Sequence, residues 1–213
     1  MSNEPPLATP QGGGRALSTG RVVSSIPRAR VPAIDSTAFN GGRWIYPSQQ
    51  MFYDAMRRKG WDADRAAIPA VVAIHNAVNE RAWHHVVQWE LGMHASLYVG
   101  DDRPLGPRLV GFHGRSGDVS PKARLCSWLG WSLPFDRHDW YVDRQDGNGE
   151  VRYVVDFYRG DNGCATGGRG GDCPVAGGEG AEDVPIPSFY LDVRPALDSL
   201  TALVDRLRRL AWS

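Results

Sequence analysis

Six histidines and three cysteines are the side chains of this chain best suited to hold a metal or attack an electrophile, and their spacing narrows what each could do. His75 recurs with Val71, Val78, Ala82, Val86 and Trp89 at steps of three and four residues, which puts all of them on one face of a helix. An imidazole inside an apolar stripe reads in two ways: a core histidine satisfied by a hydrogen bond, which is the commoner case, or a neutral ring offering a lone pair to a ligand. Glu80 follows five residues later and is angularly displaced from His75 on an ideal helix. His138, in Phe135-Asp136-Arg137-His138-Asp139-Trp140, has carboxylates on both sides that could fix its tautomer, or that make it a structural hydrogen-bond node. His84, His85, His94 and His113 read as surface or packing residues. Cys126, Cys164 and Cys173 are odd in number and have no C-x-x-C spacing, which argues against a disulfide framework or a zinc site.

The elements that must position these groups are legible in the same periodicities. Trp44-Ile45-Tyr46-Pro47-Ser48 is an extended entry whose serine can cap a helix over residues 49–59, with Met51, Phe52, Ala55 and Met56 as its apolar stripe and Gly60 as its stop. Pro69 fits the first turn of a second helix reaching about Glu90. Beyond Gly92 the pattern changes to strands at 108–112, 139–144 and 151–158, the last two joined through Asp146-Gly147-Asn148-Gly149, and another at 188–193. Pro195 then opens a final helix, whose Leu197, Leu200, Leu203, Val204, Leu207 and Leu210 are expected to face inward. The expected class is α+β, an antiparallel sheet with packed helices.

Composition excludes some functions. The 24 Lys+Arg balance 24 Asp+Glu, so nothing in the global charge calls for a nucleic-acid partner or a polybasic membrane grip. No apolar run approaches the roughly 20 residues that span a bilayer, and the N-terminus has no signal-peptide core. Residues 1–40, rich in Gly, Pro, Ser and Arg, read as a disordered leader; 41–213 form the folded domain, with 160–183 a flexible Gly-rich insertion.

Blocks spread along the chain resemble the cytochrome c haem lyase family. They include Ser24-Ser25-Ile26-Pro27, Trp44-x-Tyr46-Pro47-Ser48-x-Gln50-Met51-Phe52, Arg58-Lys59-Gly60-Trp61, Ile74-His75-Asn76 and Asn79-Glu80-x-x-Trp83. In order there follow Trp89-Glu90, residues 120–124 (Ser-Pro-Lys-Ala-Arg), 134–140 (Pro-Phe-Asp-Arg-His-Asp-Trp), 151–156 (Val-Arg-Tyr-Val-Val-Asp) and 192–199 (Asp-Val-Arg-Pro-Ala-Leu-Asp-Ser). Together they cover most of residues 24–205 outside the insertion.

The resemblance implies a holocytochrome-c synthase, a lyase that binds haem b as substrate. It adds the two cysteine thiols of the C-x-x-C-H segment of apocytochrome c across the haem vinyl groups. It implies His75 as the iron ligand and catalytic centre, and associates Trp44 with the haem site, where its ring could wall the porphyrin or serve only as a hydrophobic staple. Glu80 would then contact the apocytochrome, orient a ligand, or belong to a solvated face. His138 would bind haem or brace the chain. Arg144 and Arg152 would pair with haem propionates or brace the sheet. The family also implies a mitochondrial intermembrane-space protein, peripheral to the inner membrane. One departure stands out: the leader has no Cys-Pro haem-regulatory motif, and only Cys173-Pro174, in the insertion, has that dipeptide. The rival reading is a haem-binding chaperone or carrier that forms no bond.

Overall fold

The computed structural model describes residues 16–29, 42–100, 106–160 and 189–212. The leader segments 1–15 and 30–41, and nearly all of the Gly-rich insertion, lie outside the described residues. The architecture is α+β. Strands β1 (Val23–Pro27) and β2 (Arg43–Ile45) form an antiparallel pair, helices α1 (Gln49–Arg58) and α2 (Ile68–His94) follow, and β3 (Arg108–Gly114) opens the main sheet. Helix α3 (Pro121–Trp128), strands β4 (Asp136–Asp143), β5 (Glu150–Arg159) and β6 (Phe189–Pro195), and helix α4 (Leu200–Trp212) complete it. The four-stranded sheet runs β3-β4-β5-β6, antiparallel throughout.

Side-chain alternation gives the sheet two unlike faces. One presents Trp140, Val142, Tyr153, Val155, Phe157 and Val193, and buries them against Ala82, Trp83, Val86 and Trp89 of α2. The Trp89 indole donates to the Val193 carbonyl at 2.6 Å and so ties helix to sheet. The other face is ionic. Buried Asp139 meets Arg115, Arg137 and Arg152, and buried Asp156 meets Arg194 at 2.6 Å. Ser120 caps α3 through the Ala123 amide and also donates to Asp156 at 2.8 Å, so the start of that helix is bolted to this face. Carboxylates at this depth are tolerable only because each is paired.

The fold corrects several boundaries. Residues 23–27, which composition assigns to the leader, form β1, where Ser24 and Ile26 are buried; the pairing with β2 and the packing on α2 supply the burial that local composition lacks. Helix α2 runs one turn past Glu90 to His94. Pro195 does not start a helix: it ends β6 opposite Tyr153, and the Ala196 amide continues the ladder to the Arg152 carbonyl.

The final helix is inverted relative to expectation. Leu200, Leu203, Val204, Leu207 and Leu210 are 42–82% exposed, as is Leu197 just before it, while Ala202 and Asp205 are buried at 2%. Periodicity identifies residues that share a face but not which way the face points, and here polar bonds fix the direction. Asp205 accepts from His94 Nε2 at 2.8 Å and lies 3.5 Å from the Arg144 guanidinium; Arg206 donates to the Pro195 carbonyl; Arg209 lies over the Trp89 ring at 4.1 Å.

Candidate functional site

His75 sits on the first half of α2, half buried. Its Nδ1 is 3.3 Å from Asn76 Oδ1, which can only accept, so Nδ1 carries the hydrogen and Nε2 is left with the lone pair. That lone pair has a single weak neighbour, Asn79 Nδ2 at 3.3 Å, whose amide also donates to the His75 carbonyl at 2.8 Å. Phe52 of α1 and Tyr46 contact the ring edge-on, with centroids 5.4 and 6.2 Å away. The imidazole is thus held in one tautomer by its own helix and walled by aromatics from the preceding elements. An incoming metal would displace only one long amide contact.

Glu80 tests differently from its expected solvated or contact role. Its carboxylate accepts from Ser24 Oγ at 2.6 Å, from the Ser25 amide at 3.0 Å, from Ser25 Oγ and from Tyr46 Oη at 3.0 Å. It therefore clamps β1 and the Trp44-to-Ser48 entry onto α2, one turn below His75. Burial pushes this carboxyl up, but the four donors outweigh burial and hold it below the usual range. A carboxyl lowered in the native state adds stability above its unfolded pKa, and that stability is lost as pH falls through the native value. Glu80→Gln is expected to cost about 1–3 kcal/mol, to flatten this acid limb of stability, and to free β1; urea titration from neutral to acid pH, with hydrogen exchange at residues 23–27, measures all three. Unchanged exchange at β1 would mean that the clamp does not hold it.

His138 projects from β4 on the α2 side of the sheet, where its ring stacks on Phe112 (6.2 Å, 22°) and meets Phe157 edge-on at 5.1 Å. Nε2 pairs with Asp136 at 3.2 Å, and Nδ1 is buried with no partner. Burial pushes the imidazole below its usual pKa against the pull of Asp136. Trp44 reaches the same aromatic wall: its ring is 5.8 Å from Phe112, its indole donates to the Leu109 carbonyl at 3.2 Å, and the Arg28 guanidinium sits 5.0 Å above it. Trp140, 6.3 Å from Phe112 and 1% exposed, has its indole N–H unpartnered.

Arg144 is not brought to this cluster. Its guanidinium is buried on Glu90, with three contacts of 2.8–3.0 Å, at the far end of α2. Glu90, fully buried, also takes the Tyr153 and Tyr98 hydroxyls. Through these bonds and its approach to Asp205, Arg144 braces α2, the β4–β5 turn and α4. Arg152 likewise spends itself on Asp139 and Asp198. Sequence reasoning gave no role to Phe112, Phe157 or Phe52, because alternation and helical period identify them only as apolar. The pairing of β3 with β4, which sets Phe112 opposite Trp140 and Gly114 opposite His138, assembles the wall.

Among the described residues no three His, Cys, Asp or Glu side chains converge as a metal-binding group, and no helix is long and apolar enough to cross a membrane. A cavity lined by Leu17, Ser18, Gln49, Arg65, Ala66 and Pro69 opens beside the start of α2 and does not include His75.

Comparison with known proteins identifies the family. Residues 8–169 match the family model described as Cytochrome c/c1 heme lyase. The chain is 42% identical to the Holocytochrome c-type synthase of Homo sapiens over 202 residues, 92% of this chain and 62% of that protein. It is 42% identical to the one of Gallus gallus over 201 residues, 92% of this chain and 60% of that protein. With the Holocytochrome-c synthase of Saccharomyces cerevisiae the identity is 35% over 232 residues, 98% of this chain and 74% of that protein. The chain thus spans about 60% of the length of the vertebrate relatives it matches. No solved structure matches it. A family match over most of the chain leads to one assignment: the chain belongs to the cytochrome c/c1 heme lyase family.

Proposed function

We propose that the chain is a holocytochrome-c synthase: it binds haem b through His75 and joins the haem vinyl groups to the two cysteines of the C-x-x-C-H segment of apocytochrome c. The observation that carries the reading is the state of His75, whose Nδ1 hydrogen is engaged and whose Nε2 lone pair meets only a 3.3 Å amide contact, at the edge of an aromatic surface. A neutral imidazole with one free lone pair is what an axial iron ligand must be. The wall of Phe112, Phe157 and Trp44 suits the flat apolar substrate. The bare Nδ1 of His138 and the unpartnered indole N–H of Trp140 supply polar atoms that await a partner there.

Haem supplies the iron and the two alkenes. The chain's part is to hold that iron from one side and leave the other open, where the histidine of the visiting C-x-x-C-H segment can ligate. Each cysteine S–H then adds across a C=C bond: sulfur bonds to the carbon next to the ring and the proton goes to the terminal carbon, with no net redox change. Fixing both partners on one metal converts a bimolecular addition into a positioned one. Glu80 holds β1 and Trp44 in register with His75, and Arg144 stays outside the haem set as a structural brace. The reading places the protein in the mitochondrial intermembrane space, peripheral to the inner membrane.

Coexpression with apocytochrome c in a host without its own maturation pathway tests the proposal. Acid-stable haem that comigrates with cytochrome c in a denaturing gel is expected. Haem that copurifies with this chain but never becomes covalent would instead identify a carrier.

A further inference from the structure

We propose that the Arg28 guanidinium, stacked on Trp44 at the rim of the aromatic wall, is the carboxylate-binding group that receives a haem propionate. The proposal rests on the haem reading above and adds the contact that sets how the porphyrin is turned within its own plane.

Three observations carry it. First, among the described residues Arg28 is a cation without an anion. Its Nε–H is buried with no acceptor, no hydrogen bond or ion pair engages the rest of its guanidinium, and the group lies over the Trp44 ring at 5.0 Å. A buried donor in this state costs stability until a ligand or water accepts from it. The arginines on the sheet are spent by comparison: Arg115, Arg137 and Arg152 on Asp139, Arg194 on Asp156, and Arg144 on Glu90. Second, the guanidinium is held where it is. The Arg28 amide donates to the Gly42 carbonyl at 2.6 Å, the Ala29 amide to the Leu109 carbonyl at 2.9 Å, and the Trp44 indole to that same carbonyl at 3.2 Å. One oxygen of β3 thus fixes both the backbone that carries the arginine and the ring beneath it, so little of the ordering cost falls on the ligand.

Third, the position suits an amphiphile. From Trp44 the wall leads to Phe112, 5.8 Å away and 49% exposed, so an apolar surface opens to solvent beside the cation. Haem is apolar over its faces and carries its two carboxylates on the edge opposite the vinyl groups. A fork of N–H donors at the end of an aromatic surface binds such a carboxylate while the ring lies on the aromatics. Holding the propionate edge at Trp44 turns the vinyl edge away from it, toward the incoming thiols. Arg28 therefore positions the substrate and takes no part in bond making.

Soret titration of the full-length chain with haem and with haem dimethyl ester, whose propionates are uncharged, tests this. The wild type is expected to bind haem about tenfold tighter than the diester. Arg28→Gln should weaken haem binding by about tenfold and leave the diester unchanged, which abolishes the preference, and Arg28→Lys should keep part of it. The nitrogen-ligated band should persist in both variants, because His75 still holds the iron. An arginine that only packs on Trp44 would move both ligands equally. The proposal is overturned if Arg28→Gln weakens haem and diester alike, or if the wild type does not distinguish them; neither result touches the haem reading. A wild type that binds neither porphyrin overturns that reading, and this proposal with it.

Discussion

Arg144→Met is expected to lower the unfolding free energy by about 3–5 kcal/mol, a large part of the roughly 5–15 kcal/mol that holds a typical domain together. Glu90 is fully buried, and three of its contacts come from the Arg144 guanidinium. Removing that cation leaves a carboxylate with only the Tyr98 and Tyr153 hydroxyls, and leaves Asp205 with His94 alone. The cost comes from isolating buried charge more than from losing an attraction, so Arg144→Met combined with Glu90→Leu should recover much of the stability that either change forfeits. Guanidinium chloride titrations of the two single variants and the double variant measure this coupling. Haem readout separates bracing from ligand binding. At a temperature where Arg144→Met is still folded, its Soret band should match the wild type, because the guanidinium is engaged at the opposite end of α2 from His75. Loss of haem from a fully folded variant would assign Arg144 to the propionates.

That pair also shows where sequence reading stops. The fold class, all four helices and the hairpin were not equally legible: α1, α2, α4 and the hairpin follow from apolar period and turn chemistry, which are local signals, whereas the short α3 carries too little period to stand out. Ser48 and Ser120 cap the helices they precede, and residues 144–149 turn with Gly147 and Gly149 at positive φ. The direction of α4 was not legible, since it depends on Asp205 meeting His94 and Arg144 from elements far away in the chain. The same limit applies to Glu80 and Arg144. Glu80 is polar on a pattern that marks such residues as solvated and is instead the acceptor of a long-range clamp; for Arg144, bracing is one of two readings, but the partner, Glu90 at the far end of α2, is not visible in the sequence. His75 could be selected as the iron-ligand candidate from position and resemblance together. Its tautomer depends on where Asn76 and Asn79 set their amides, which the sequence does not specify.

His75→Ala is expected to abolish copurifying haem and all covalent attachment to apocytochrome c, while the helical circular dichroism stays near wild type. The ring is half buried and its own contacts are long, so its removal should cost only about 1 kcal/mol of stability. His75→Gly with added imidazole sharpens the test: if the residue supplies a nitrogen to iron, free imidazole in the vacated space should restore a nitrogen-ligated Soret band and part of the attachment activity. His138→Ala is the matched control. That ring lies on the wall formed by Phe112 and Phe157, and its Nδ1 is bare. If His75 is the ligand, the His138 variant keeps the nitrogen-ligated spectrum and the His75 variant does not. The reverse pattern would move the iron to β4 and leave His75 as a buried histidine of the helix. Because both rings lie on the same side of the sheet, a change in general packing would affect the two variants alike, and only iron ligation separates them.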